Sequence, residues 1–232
     1  CLFSEDPADY LAGGTNPAEL HKAIMADLAV PWHPALGNHD YHTGYDLAAG
    51  EMSPARNNAD VEAVWRKVLG IEPYYSFVHK GARFVVLNSN RGASAGGLCP
   101  LSSLERYCSG AFDGGQMLWL EQELRKPEPC LLFFHHPVMT DNVDVPWSFV
   151  GAEFQVPAGD GFYDLARQHK DKIMAIFVGH GHLWANDTLF GTVPVYETGP
   201  TGDYLGKADN VCKVTIDVDN GVFSVVQKAG AQ

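Results

Sequence analysis

Three apolar runs of this chain each end in a cluster that contains histidine. The clusters are Gly37-Asn38-His39-Asp40, His135-His136-Pro137 and Gly179-His180-Gly181-His182. Segments with helical periodicity precede the last two runs, which is the order of a parallel sheet with crossover helices. The carboxyl ends of parallel strands meet at one edge of the sheet, where α/β proteins form their sites. If the three runs are strands that lie side by side, the clusters converge at one rim.

The polar residues of these clusters suit a transition metal. Imidazole nitrogens and amide oxygens favour zinc, iron or manganese over magnesium, and the candidate ligands are Asn38, His135, His180 and His182. Gly37, Gly179 and Gly181 are expected to allow tight turns and close approach of side chains to an ion. A single strand-end histidine is often only a surface or core residue, and Asn38 could be a turn residue. The three clusters together, in this order, favour a site.

The remaining pattern alternates between helices and strands. Helical spacing covers residues 17–29, 60–69, 113–124 and 161–169, with Leu20, Ile24 and Leu28 as the apolar stripe of the first helix. Strand-like runs cover residues 74–78, 83–88, 131–134, 173–178, 193–197, 213–218 and 222–227. Residues 30–36 form a further run, although two prolines make it a poor central strand. The expected fold is α/β with a partly parallel sheet, in a single domain over residues 1–232.

The composition excludes some classes of partner. A formal charge of −12 without a basic stripe disfavours nucleic acid, and no apolar run approaches the roughly 20 residues of a membrane span. A small phosphorylated substrate remains compatible, because bound cations can invert the local field of a site. Cys99 and Cys108 flank a Gly/Ser-rich insertion, and a disulfide between them would favour an extracytoplasmic or secreted location. The oligomeric state is not indicated.

The clusters resemble the calcineurin-like metallophosphoesterase superfamily, which includes the purple acid phosphatases. The family pattern is Asp-x-His, Gly-Asp-x-x-Asp (or Tyr), Gly-Asn-His-Asp/Glu, a strand-end histidine and Gly-His-x-His, of which the last three are present. The resemblance implies a two-sheet α/β/β/α sandwich and a phosphoester hydrolase with two transition metals (Fe, Zn or Mn). A phosphomonoesterase is the first expectation, and a phosphodiesterase acting on cyclic nucleotides or similar diesters is the alternative. A non-catalytic binding scaffold of the same fold is the rival from another class.

The resemblance also implies roles for individual residues. Asn38, His135 and His180 are expected to bind one metal, and His182 is expected to bind the other. His39 is expected to contact phosphate and protonate the leaving oxygen, with Asp40 orienting it. His136 could support the neighbouring ligand, or it could be an exposed residue at a strand end.

The first two family motifs have no counterpart at the expected place. Asp40-Tyr41-His42 matches the first motif, but Asp40 already belongs to the asparagine cluster. Gly159-Asp160-Gly161-Phe162-Tyr163 matches the second, but its aspartate is typical of a helix N-cap. We therefore expect an N-terminally truncated sequence that lacks the first strand-helix-strand unit and the aspartates of the second metal. Such a chain should bind one metal weakly and hydrolyse little or nothing by itself.

Overall fold

A computed structural model of the chain describes residues 17–41, 45–46, 51–52, 58–90, 110–142, 155–199, 211–220 and 222–228. The helices are α1 (Pro17–Ala26), α2 (Asn38–Tyr41), α3 (Asn58–Leu69), α4 (Gly114–Leu124) and α5 (Gly161–Gln168), with a 3-10 turn at Lys170–Lys172. The strands are β1 (Tyr45–Asp46), β2 (Glu51–Met52), β3 (Tyr75–His79), β4 (Ala82–Val86), β5 (Cys130–Phe133), β6 (Ile173–Val178), β7 (Ala185–Leu189), β8 (Val193–Glu197), β9 (Val211–Asp217) and β10 (Val222–Lys228). None of these helices has the length and apolar character needed to cross a membrane.

A six-stranded mixed sheet forms the centre of the fold. Its strand order is β3-β4-β5-β6-β8-β7, with parallel pairing from β4 through β8 and antiparallel hairpins at both ends. The register aligns Val86 with Phe133, Phe133 with Phe177, and Val178 with Glu197. The parallel strands therefore end at the same edge. This arrangement confirms the predicted α/β fold with a partly parallel sheet.

Helices α4 and α5 cover one face of the sheet and bury its largest apolar cluster. Both helices start where a carboxylate satisfies a backbone donor of the first turn. Asp113 accepts a hydrogen bond from the amide of Gln116, and Asp160 accepts one from the amide of Phe162. The role of Asp160 as an N-cap is thus confirmed, so its Gly-Asp match is a helix start.

A hairpin of β9 and β10 packs on the other face of the sheet. Its inward side chains meet a row of stacked rings, one from each of five neighbouring strands: Phe77, Phe84, Phe133, Phe177 and Tyr196. The two sheets form the sandwich that the family resemblance implies. The outward side chains of β9 are exposed, and the expected outer helical layer is not found in the part of the chain that the structure describes.

Helix α1 contradicts the predicted orientation of its apolar stripe. Leu20, Ile24 and Leu28 are 65%, 60% and 48% exposed, whereas Ala18 is buried against α3. The helix also ends at Ala26, three residues earlier than predicted, in a turn where Asp27 donates to the carbonyl of Ile24. Helical spacing defines a face, but the packing partner decides which face is buried. Here the partner is α3, and the Lys22 ammonium group donates a hydrogen bond to the carbonyl of Val68 in that helix.

The run at residues 30–36 is not a strand. Residues 31–37 have no regular secondary structure, because Pro31 and Pro34 lack the amide protons that a ladder requires. Side chains of the sheet hold this segment instead. The Tyr75 hydroxyl donates to the carbonyl of Pro34 at 2.8 Å, and Asn90 Nδ2 donates to the carbonyl of Leu36 at 3.0 Å. Only two of the three histidine clusters therefore follow strands.

A buried ion-pair network joins the elements at the amino-terminal edge of the parallel strands. The Arg83 guanidinium contacts Glu123 of α4 at 2.9 Å and Glu128 at 2.8 Å, and Ser76 donates to the same Glu123 oxygen. Arg83 and Glu123 are both buried. Removal of Arg83 would leave the buried Glu123 carboxylate with Lys126 as its remaining charged partner.

We expect Arg83→Ala to lower the free energy of unfolding by about 1.5–3 kcal/mol, because the buried Glu123 carboxylate loses a charged donor and keeps only Lys126 and Ser76. Urea denaturation measures this change. Arg125→Ala is the matched control, since its ion pair with Glu121 is mostly exposed and should contribute less than about 1 kcal/mol. Equal effects of the two substitutions would contradict the prediction.

Candidate metal centre

Three of the predicted ligands meet at the carboxyl edge of the sheet. His135 Nε2 lies 2.8 Å from Asn38 Oδ1 and 3.0 Å from His180 Nδ1. His135 follows β5 and His180 follows β6, so parallel pairing of these strands brings the two rings together. Asn38 opens α2 and is buried. An amide oxygen and two imidazole nitrogens in contact form a donor set that fits a transition metal.

The glycines beside the ligands lie in tight turns, and the left-handed backbone belongs to the histidines. The residues with left-handed backbone are His180 (φ 76°) and His182 (φ 54°), whereas Gly37, Gly179 and Gly181 do not have positive φ. A non-glycine residue in this region is under local strain. Gly37 instead provides close approach, because a Cβ there would lie 3.1 Å from His135 Nδ1. Tight turns are present at these glycines, since the Asp40 amide donates to the Gly37 carbonyl and the Gly181 amide donates to the Gly179 carbonyl. The approach of side chains to an ion stays a prediction.

The histidines of the rim are electrostatically coupled. Burial lowers the pKa of His180 to about 4, and the charges of His182 and His39 act in the same direction. Burial also lowers the pKa of His135 well below its usual value, with His180, His39 and His182 adding to the shift. All four rings therefore lie within reach of one another's charge. Neutral imidazole is the form that binds a metal.

His39 lies in α2 directly after Asn38, with its side chain exposed at the rim. Desolvation and the neighbouring His182 lower its pKa, while the Asp40 carboxylate raises it more weakly. Asp40 is buried and accepts a hydrogen bond from the Gly37 amide at 2.8 Å. This bond closes the turn that presents Asn38 and His39. The orientation of His39 by Asp40 stays a prediction.

His136 was expected either to support the neighbouring ligand or to be exposed at a strand end, and the structure shows that it is buried. The residue is 1% exposed, and its Nδ1 lies 2.8 Å from Ser89 Oγ, which also accepts a hydrogen bond from the His136 amide. A Cβ on Gly110 would lie only 2.5 Å from His136 Cβ, so glycine is required there. Ring nitrogens of His135, His136 and His180 all lie within 4.8 Å of one another. His136 therefore belongs to the immediate surroundings of the centre.

Residues 88–90, a polar segment after β4 that was not among the predicted site residues, position the clusters. Asn88 Nδ2 donates to the Tyr41 hydroxyl at 2.7 Å, Ser89 holds His136, and Asn90 holds the carbonyl of Leu36. The side chain of Gln116 completes the segment by pairing with the amide and carbonyl of Asn88. A signal was available, since Asn88-Ser89-Asn90 is a fourth polar cluster at the end of an apolar run.

Comparison with known proteins identifies the family. The model of the calcineurin-like phosphoesterases matches residues 7–184, which is more than half of the chain. The chain belongs to the calcineurin-like phosphoesterase family. Members of this family hydrolyse phosphoesters with the help of metal ions, and the histidine cluster of this chain could hold a metal.

A structural relative of this phosphoesterase is a dimetal phosphatase from Danio rerio. The two chains are 16% identical and superpose with a TM-score of 0.47, over 84% of this chain and 69% of the other. The comparison with curated proteins found no match.

Glu197 is a second residue of this phosphoesterase that the sequence analysis missed. It ends β8, directly beside Val178, which precedes the 179–182 loop. The residue is 0% exposed, and neither carboxyl oxygen has a hydrogen-bond partner among the residues that the structure describes. Burial raises the pKa of Glu197 to about 9, although the nearby Gly181 amide acts in the opposite direction. No motif marks this position, because the residue ends an otherwise apolar strand.

We expect Asn88→Ala to loosen the segment that carries Asn38 and His39, because the buried Tyr41 hydroxyl loses a donor at a cost of about 1–3 kcal/mol. Hydrogen exchange of the backbone amides at residues 36–41 should become faster, while the amides of α5 keep their protection.

Asn186→Ala is the control for this substitution, since Asn186 is exposed on β7. It should leave exchange at residues 36–41 unchanged. Faster exchange throughout the Asn88 variant, including α5, would point to global destabilisation and would contradict a local anchoring role.

Proposed function

We propose that the protein is a metal-dependent phosphomonoesterase that acts on small phosphorylated substrates. The observation that carries this proposal is the contact of Asn38 Oδ1, His135 Nε2 and His180 Nδ1 at the carboxyl edge of a phosphoesterase sheet. Family membership supports phosphoester hydrolysis as the reaction. The choice of monoesters over diesters is our proposal, and diester hydrolysis is the alternative outcome of the assay below.

Asn38, His135 and His180 would hold one transition metal (zinc, iron or manganese), and His182 would contribute to a second position. Bound metals in such sites polarise the phosphoryl group and activate water for attack. His182 lies near His180 and His39, as its effect on their pKa values indicates. Among the described residues, the first position has three converging donors and the second has His182 as its predicted donor. We therefore expect the 232-residue chain by itself to bind one metal and to hydrolyse little.

His39 would contact the phosphate and supply a proton to the leaving oxygen. Its side chain is exposed at the rim, and Asn38 fixes its place beside the metal ligands. Its pKa is lowered in the free protein, but a phosphate anion beside the ring would raise it again, because an opposite charge favours the protonated form. Asp40 would assist in the same direction through its negative charge. The substrate would thus promote protonation of the residue that completes the reaction.

The arrangement of the ligands supports an enzyme rather than a binding scaffold. A scaffold needs neither neutral histidines nor contact between donor atoms from different strands, yet Asn38, His135 and His180 come from distant parts of the chain and touch. The negative charge of the protein fits a cation-dependent site better than direct binding of polyanions. An extracytoplasmic or secreted location stays a prediction, and Cys99 and Cys108 lie outside the described residues.

We expect the chain to bind one Zn²⁺ and His180→Ala to abolish this binding, because the substitution removes one of the three converging donors. Isothermal titration of the metal-free protein with Zn²⁺ measures stoichiometry and affinity. His79→Ala is the control, since His79 is exposed and lies in β3 near the opposite edge of the sheet. Two tightly held metals per chain, or unchanged binding by His180→Ala, would overturn the assignment.

Hydrolysis is tested on the protein as its full gene encodes it. p-Nitrophenyl phosphate and bis-p-nitrophenyl phosphate compare monoester with diester turnover. We expect faster turnover of the monoester, dependence on added metal, and loss of activity in Asn38→Ala. Faster turnover of the diester would establish the alternative specificity, and absence of hydrolysis with both substrates would favour the scaffold.

A further inference from the structure

Glu197 occupies a place in the sheet that connects it to the metal-binding loop. The residue pairs with Val178 of β6 on one side and with Ala185 of β7 on the other. Val178 precedes the 179–182 loop, and Ala185 follows soon after it. Glu197 therefore lies between the two ends of the segment that carries His180 and His182. The bond from the Thr198 amide to the Val178 carbonyl, 3.0 Å long, holds this end of β8 against the loop.

The side chain of Glu197 points into the apolar face of the sheet. Alternate residues of a strand point to the same face, and Val193 and Val195 of β8 belong to the core beneath α4 and α5. Val178, the partner of Glu197 across the ladder, belongs to the same core. A carboxyl group is thus placed where the pattern of the strand calls for an aliphatic side chain.

A second buried glutamate shows what such a group normally requires. Glu123 is also buried, but its carboxylate contacts Arg83 and Lys126 and accepts a hydrogen bond from Ser76. Among the residues that the structure describes, neither oxygen of Glu197 has a charged or hydroxyl partner. A carboxyl group that is buried without hydrogen bonds destabilises the folded state. The described part of the core therefore gives Glu197 none of the compensation that it gives Glu123.

A polar group of the metal-binding loop lies close to Glu197. The Gly181 amide, which donates to the carbonyl of Gly179, is close enough to influence the Glu197 carboxyl group. Gly181 separates His180 from His182, both of which have strained left-handed backbone. With its raised pKa the Glu197 carboxyl group is neutral in the metal-free chain, and a cation bound nearby would favour its charged form. In an apolar layer the attraction between the two charges is larger than it would be in water. Such carboxylates behind the ligands commonly tune metal sites.

We propose that Glu197 is a positioning residue of the metal centre, whose buried carboxylate supports the 179–182 loop and balances the charge of the cation that the loop binds. This inference rests on the proposed metal site. The residue does not need to touch the metal, since it acts on the loop and through its charge. It adds to the centre a component that none of the histidine motifs contains.

The proposal requires opposite effects on folding and on metal binding. Glu197→Leu removes the unpartnered carboxyl group, so the metal-free chain should unfold at a higher urea concentration. The same substitution should weaken Zn²⁺ binding by about 10–100-fold, the usual effect of losing a supporting carboxylate. Glu197→Gln keeps the shape but removes the charge, and it should weaken binding over the same range. Urea denaturation and isothermal titration of the 232-residue chain measure the two quantities.

Glu123→Gln is the matched control, because it changes a buried glutamate that has its partners within the core. It should lower the urea midpoint and leave Zn²⁺ affinity within about twofold of the unsubstituted chain, since distant sites act independently. If the unsubstituted chain binds Zn²⁺ and both Glu197 variants bind it equally well, the inference is overturned and the metal site stands. If the unsubstituted chain binds no Zn²⁺, the metal site fails and the role of Glu197 fails with it.

Discussion

The parallel pairing of β4, β5, β6 and β8 is the constraint on which the rest of the structure depends. Its register makes these strands end together, and each strand is followed or completed by a polar residue of the rim: Asn88, His135, His180 and Glu197. Side chains in strands alternate with a period of two, so a slip of one residue would turn these groups to the wrong face. The stacked rings and the helices α4 and α5 hold this register from the two faces of the sheet.

The two edges of the sheet differ in how their buried polar side chains are paired. At the amino-terminal edge, Arg83, Glu123 and Glu128 satisfy one another and join β4 to its neighbours. At the carboxyl edge, polar atoms of Asn90, His136 and Glu197 are buried without hydrogen-bond partners among the described residues. The amino-terminal edge also has such an atom, His169 Nε2, just before β6. Buried polar groups without partners reduce stability, and the carboxyl edge holds more of them.

The sequence predicted well whatever depends on local chemistry. The N-cap Asp160 lies where a carboxylate meets free amides, and α3, α4 and α5 form where helical spacing predicts them. The sequence predicted poorly which face of a helix is buried and whether a run joins the sheet, because both depend on the packing partner. The stripe of α1 points outward because α3 contacts its other face, and residues 30–36 are held by Tyr75 and Asn90 rather than by a ladder. Family resemblance supplied the sandwich, which periodicity alone could not reveal.

The sequence by itself determined which candidate ligands to look for, because the side chains of histidine and asparagine at the ends of apolar runs are of types that suit a transition metal. Only the tertiary structure decided how they meet: His135 with Asn38 and His180, His136 behind them, and Glu197 beneath the loop. These contacts join residues far apart in the chain, and the position of one strand end relative to another is set by sheet register and by the polar anchors of residues 88–90. Neither the register nor these anchors can be inferred from a local pattern, since both depend on which distant residues pack against them.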